Sequence, residues 1–141
     1  MGEQVEIMSN PTIKKILQLR LSGIDPPIPT TWENTQNKQP NAPYQRVFFI
    51  PAQPNTHAIS DHVHSRLSGV MQVSLYFKVG QGSKDMDERV ALIRECFEAG
   101  LSIVDSGWQV IIPRLPSQSA AQVTDDGYVS HVSIFYEAYQ I

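Results

Sequence analysis

The sequence predicts an α+β domain in which two helices pack on one face of a mostly antiparallel or mixed β-sheet. Strand-like segments outnumber helical ones, in the order helix, strand, strand, strand, helix, strand, strand. The strands are not each followed by a helix, as a purely parallel sheet would require. The 141 residues are the length of one ordinary domain, which buries a core without needing disulfides or a metal.

The first helix is predicted to begin at Asn10-Pro11, because asparagine caps helix N-termini and proline suits the first helical position. Apolar residues then recur at helical spacing until Gly23 ends the helix. These residues are Ile13, Ile16, Leu17 and Leu21. Residues 1–9 lack this pattern and are expected to form a mobile arm, so the single folded domain is predicted to span residues 10–141.

Two strands are predicted next, a short one over residues 30–34 and a largely apolar one over residues 44–50. A polar, proline-containing loop over residues 35–43 separates them. Pro51 and Pro54 end the second strand, because proline cannot donate to a strand ladder. These segments add two strands to the predicted sheet.

The clearest strand signal covers residues 69–79, where apolar and polar residues alternate. A glycine-containing turn over residues 80–83 follows, and Asp85 with Glu88 is typical of a helix start. The helix is predicted over residues 86–99. A strand and a helix that each carry one apolar face can bury them against each other, so this unit is expected to form half of the core.

A further strand is predicted over residues 108–112, and the last and longest over residues 128–139. Between them lies a polar loop, residues 113–127, which ends in the turn signal Asp125-Asp126-Gly127. The other long polar segment runs from about residue 52 to 66. Loops near 15 residues are uncommon in compact domains and tend to be functional or disordered.

Composition argues against several function classes. Eleven Lys and Arg against 14 Asp and Glu give a formal charge of −3, and the cations are scattered, which argues against a broad nucleic-acid-binding surface. Cys96 is the only cysteine, so no intrachain disulfide and no thiolate metal cluster is expected. No apolar run approaches the ~20 residues of a membrane span, and the acidic N-terminus lacks a signal-peptide core.

The candidate chemistry is sparse. His57, His62 and His64, with Asp61, are residue types that bind zinc. No further histidine cluster completes such a site, so solvated or interfacial histidines are favoured. No Gly-x-Ser-x-Gly elbow is present, and Gly80-x-Gly82 lacks the third glycine of a dinucleotide loop. We therefore predict no catalytic residue, no metal and no cofactor.

Several short motifs stand in order along nearly the whole chain, from about residue 10 to 140. They are Trp32-Glu33-Asn34, Tyr44-x-Arg46-Val47, Gly69, Gln72, Val73, Gly80, Gly82, Phe97, Gly100, Val110, Ile112, Asp126, Gly127, Tyr128, Val132, Ile134, Tyr136 and Ala138. This ordered set resembles the family of tail terminator-like, or tail completion, proteins of tailed phages and prophages. The segment 51–68, longer and richer in histidine, and the N-terminal arm depart from the family pattern.

The resemblance implies a structural virion protein and not an enzyme. Such proteins assemble as a ring, typically hexameric, that caps the head-proximal end of the tail tube, ends tube growth and offers a docking surface to the head. The implied partners are further copies of the chain, the tail tube protein and a head-completion or connector protein, while DNA only passes through the lumen and no membrane is involved. The implied location is the tail or neck of the virion, after synthesis in the host bacterial cytoplasm.

Two alternatives stay open. Another neck or minor tail protein, such as a head-closure protein, is the nearer one, because these proteins share related folds. A metal-dependent hydrolase that uses the three clustered histidines is the remote one. Contacts are expected in the two long loops, because exposed loops on a rigid scaffold commonly carry binding. The candidate interface residues are His57, His62, His64, Arg66 and Arg114.

Overall fold

The computed structural model describes residues 2–35, 40–51 and 66–141, with side chains from residue 11 onward. Within these residues two helices form, α1 (Gly2–Ser22) and α2 (Lys84–Cys96). The strands are β1 (Thr30–Thr31), β2 (Tyr44–Pro51), β3 (Arg66–Phe77), β4 (Ser102–Asp105), β5 (Trp108–Ile111), β6 (Ser117–Gln118), β7 (Gln122–Thr124) and β8 (Gly127–Gln140).

All of these strands belong to one sheet, whose main order is β1-β2-β3-β8-β5-β4. β3 pairs with β8 along the whole length of β3, so β5, β6 and β7 share the other side of β8. Among the described strands only β1 and β2 pair in parallel. The predicted α+β fold with a mixed, mostly antiparallel sheet is therefore confirmed.

The core lies between the two helices and one face of the sheet. Val73 pairs with Val132 and Met71 with Ile134 across β3 and β8, and all four side chains are fully buried. Both helices pack their apolar stripes onto these residues in one cluster. The buried apolar residues of the helices are Ile13, Ile16, Leu17, Leu21, Met86, Val90 and Ile93. The alternation of β3 and the helical spacing of α1 and α2 thus identify the core correctly.

The first helix differs from the prediction at its N-terminus. It begins at Gly2, not at Asn10, and Pro11 lies inside it. Residues 3–8 include several good helix formers, and the helix continues although Pro11 removes a backbone donor and crowds the carbonyl one turn before it. A proline that suits a helix start can therefore lie within a helix that continues on both sides of it. The mobility expected of residues 1–9 stays a prediction.

The boundaries of the central unit shift by a few residues. β3 begins at Arg66 and ends at Phe77, so Val79 lies beyond the strand and is exposed. α2 begins at Lys84 with Ser83 as its N-cap residue, and it ends at Cys96. The glycines of the turn between them, Gly80 and Gly82, have positive φ angles of 85° and 78°, which glycine adopts without steric cost.

Three of the described strands are not predicted by the sequence. β4 lies in a segment without a strand pattern, and β6 and β7 lie inside the segment predicted as a polar loop. β6 and β7 have two and three residues with mostly polar side chains, too short for an alternation to be visible. They exist because β8 offers an unpaired edge there, a partner distant from any local sequence window.

Candidate functional site

The face of the sheet opposite the helices, here called the outer face, carries both polar and apolar side chains. In its middle, Ser74 Oγ lies 2.7 Å from His131 Nδ1 across β3 and β8. Towards one end, Ile50, Val70 and Phe135 are register partners across β2, β3 and β8. Because they occupy one row, these three side chains form an apolar stripe across the outer face.

At this end the outer face contains a groove of about 410 Å³. We call it the arginine groove. Its lining includes Arg66, Ser68, Val70, Arg114, Phe135 and Glu137. β3 and β8 supply most of these residues, and the segment after β5 supplies Arg114. Two cationic side chains therefore border an apolar surface.

Arg66 is held by an ion pair at the border of the groove. Its Nη2 lies 2.5 Å from Glu137 Oε1, and the Tyr139 hydroxyl donates a hydrogen bond of 3.1 Å to Glu137 Oε2. Desolvation and this hydrogen bond to a carboxylate raise the pKa of Tyr139. Exposed ion pairs contribute about 0–1 kcal/mol to stability, so the arrangement mainly fixes the position of the guanidinium.

Arg114 is arranged differently. Its guanidinium carbon lies 3.7 Å from the centroid of the Phe135 ring, a cation–π contact that orients the guanidinium plane. Within the described part of the chain, no carboxylate pairs with Arg114. The guanidinium is thus oriented on an aromatic ring and keeps donors available to an external acceptor.

At the base of the groove, the backbone of Gly69 on β3 lies close to Tyr136 on β8. Gly69 lies opposite Tyr136 in the β3–β8 register, and the Tyr136 side chain fills the space where a larger residue would place its Cβ. Burial, and more weakly the charge of Glu33, raises the pKa of Tyr136. Both influences favour the neutral Tyr136 hydroxyl over the phenolate.

Glu33, part of the Trp32-Glu33-Asn34 motif, joins two layers of the fold. Its Oε1 accepts a hydrogen bond of 2.7 Å from Lys14 Nζ on α1, and its Oε2 accepts one of 3.2 Å from the backbone N–H of Phe49. The carboxylate thereby satisfies one backbone N–H on the edge of β2 and connects that edge to the first helix.

A second cavity, of about 230 Å³, lies where the segment after α1 meets α2. Arg89 and Gln45 line it, and both are almost completely buried. The Arg89 guanidinium donates to the carbonyl oxygen of Pro26, while Arg89 Nε and Gln45 Oε1 lack partners within the described residues. Desolvation lowers the pKa of Arg89. A cavity of this size has room for water, which would solvate these two atoms.

The described residues do not assemble a catalytic or metal site. No group of three or more His, Cys, Asp and Glu side chains among them could hold a metal ion. Burial is the largest influence on the Cys96 thiol and raises its pKa, which disfavours the nucleophilic thiolate. Ser74 and His131 are in contact, but no carboxylate of the described residues orients the ring. No helix in these ranges is long and apolar enough to cross a membrane.

The predicted interface residues have different outcomes. Arg66 and Arg114, far apart in sequence, line the same groove, and their role as contact residues stays a prediction. His57, His62 and His64 lie outside the described residues. Sequence reasoning missed Phe135 and Glu137, which belong to the alternation of β8, because only the register with β3 places them beside the arginines.

Comparisons with known proteins agree with this fold. The chain matches the family model described as "Phage tail terminator protein" over residues 12–136. A solved protein structure superposes with a TM-score of 0.72 at 24% sequence identity, covering 96% of either chain, and it shows the likeness of the fold alone. No curated protein matches the chain. The family match includes most of the groove and ends one residue before Glu137.

Proposed function

The chain belongs to the phage tail terminator protein family, and on this premise we propose that it forms a ring capping the head-proximal end of a tail tube. The ring would end tube growth and present a docking surface to the head. The observation that carries this proposal is the family match over residues 12–136, which gives the protein a structural role in the tail. Ring formation and docking extend that role.

The proposed mechanism is interface geometry and not bond making. Identical subunits that contact each other head to tail form a ring when the rotation between them closes. One face of the ring would copy the surface that a tube ring presents, and the other face would differ, so further tube subunits could not add. The groove on the outer face supports this proposal, because it gives each subunit a surface with available donors for a partner.

The formal charge of −3 suits a ring whose lumen lets DNA pass. Cationic linings bind phosphate and would retain the DNA. We therefore expect the lumen of the assembled ring to be neutral or acidic. A map of charge on the ring, once its subunit arrangement is determined, would contradict this expectation if the lumen were strongly basic.

The test is deletion of the gene in a phage or prophage that carries it, followed by electron microscopy of the tails. Tails of uncontrolled length without heads are expected, and expression of the protein from a plasmid should restore normal particles. Tails of normal length that join heads in the deletion strain would contradict the proposal. Normal-length tails that fail to join heads would favour a head-closure role instead.

A mass measurement complements the genetics. Purified protein, alone and with isolated tail tubes, should give a species near six subunits in at least one of the two conditions. A protein that stays monomeric in both conditions and never binds tubes would contradict the ring.

A further inference from the structure

The arginine groove contains a guanidinium, that of Arg114, which forms no ion pair with a carboxylate among the described residues of its own subunit. Arg66 shares its charge with Glu137, whereas Arg114 rests on Phe135 and is absent from the ion pairs of the described ranges. An arginine oriented in this way is suited to bidentate binding of a carboxylate. The apolar residues beside it favour a partner that also brings an apolar side chain.

A matching feature lies in the turn between β7 and β8, which we call the acidic turn. Asp125 and Asp126 are exposed, and neither forms an ion pair within the described ranges. Thr124 Oγ1 accepts a hydrogen bond of 3.1 Å from the Asp126 backbone N–H and donates one of 3.3 Å to the Gly127 carbonyl oxygen. These two hydrogen bonds define the conformation of the turn, and Val123 beside it is 67% exposed.

The groove and the acidic turn lie at opposite ends of β8. Gly127 follows the turn and Glu137 lines the groove, so about ten residues of extended strand separate them by about 33 Å, at ~3.3 Å per residue. The acidic turn of one subunit therefore cannot enter its own groove. A contact between the two features must join different copies, and because the two surfaces differ, it is a head-to-tail contact.

We infer that the arginine groove binds the acidic turn of a second copy of this chain. A carboxylate of Asp125 or Asp126 meets Arg114, and Val123 packs on the apolar residues of the groove, Val70 and Phe135. The inference rests on the proposed function, because it identifies the contact by which neighbouring subunits of the ring are joined.

Charge reversal tests this contact. One variant carries Arg114→Glu and the other carries Asp125→Lys with Asp126→Lys. Each should need at least about tenfold more protein to assemble, because like charges across an interface oppose association. The controls are Lys15→Glu and Glu98→Lys, exposed positions away from both features, and these should assemble as the unmodified protein does. Circular dichroism verifies that every variant is folded.

Mixing the two charge-reversed variants in equal amounts gives the decisive result. Consider a ring in which the two variants alternate. At one contact, Asp125 and Asp126 of the Arg114→Glu variant face the unchanged Arg114 of the other variant. At the next contact, the introduced lysines face the introduced glutamate, so opposite charges meet again. Assembly and tail capping should return in the mixture although each variant fails alone. Each of these assays is run with and without tail tubes.

The outcomes separate the contact from the function. If both folded variants assemble like the unmodified protein, or if the mixture stays defective, the inference is wrong while the ring still stands. If Arg114→Glu prevents capping but not self-association, the groove binds another tail protein and the inference is again wrong. If the unmodified protein neither self-associates nor joins tails, the proposed function is wrong.

Discussion

A Cβ atom on Gly69 would lie 2.6 Å from the hydroxyl oxygen of Tyr136. The same atom would lie 2.9 Å from the carbonyl oxygen of Ile50, and a backbone atom cannot rotate away. The glycine is therefore required by close packing between β2, β3 and β8, at the base of the arginine groove.

Gly69→Ala is expected to lower the free energy of unfolding by about 1–3 kcal/mol, the usual cost of overpacking. Chemical denaturation measures this loss. Gly23→Ala is the matched control, because its Cβ would meet its nearest neighbour at 3.5 Å, an ordinary contact. Equal stability of the two variants would show that the strands separate easily at this point.

Ile134→Ala is expected to lower the free energy of unfolding by about 2–5 kcal/mol, because it leaves a cavity in a close-packed core. Ile134 is completely buried opposite Met71. Val104→Ala on β4 provides the comparison, since Val104 is 65% exposed and its truncation should cost little. Similar effects in thermal denaturation would place the core elsewhere than between the helices and β8.

Glu33→Ala should cost about 1–3 kcal/mol, because it removes the acceptor for the Phe49 N–H together with the ion pair to Lys14. Glu33→Gln keeps an oxygen for the N–H and loses only the charge, so its cost should be smaller and should shrink further in high salt. Denaturation at low and high ionic strength distinguishes the two. A Gln variant as unstable as the Ala variant would mean that the ion pair dominates.

Cys96 should react slowly with alkylating reagents near neutral pH, because burial raises the pKa of its thiol above the ordinary value of 9.0. Above that value the unfolded chain releases the proton while the folded chain keeps it, so stability should fall as pH rises through this range. Cys96→Ala should lessen this fall. An alkylation profile with its midpoint at or below the ordinary thiol pKa would contradict the shift.

Local sequence patterns were sufficient to predict an element where that element is long and has one apolar face. β3 and β8 follow from alternation, and the helical stripes of Leu17 and Ile93 face the core as expected. Patterns failed where structure depends on a distant partner. β6 and β7 form only because β8 offers them an edge.

The position of Arg66 and Arg114 in one groove also depends on pairing between strands that are distant in sequence. The sequence places the two residues in separate long loops, yet Arg66 lies in β3. Their common groove depends on how β5 and β3 pair with opposite edges of β8. The spacing of residues along the chain does not show that Arg66 and Arg114 lie close together. The alternation of inward-facing and outward-facing residues along β8, including Glu137, is visible in the sequence.

The almost continuous pairing of β8 with β3 has a mechanical consequence for a ring joined at the two ends of β8. Tension around such a ring would pull each subunit along the axis of this strand. Because both contacts would lie on β8, its covalent backbone would carry this tension, and the hydrogen bonds to β3, which run perpendicular to the strands, would attach the rest of the subunit to β8 along the whole of β3. The central strand of the fold would then also carry the mechanical force between neighbouring subunits of the assembly.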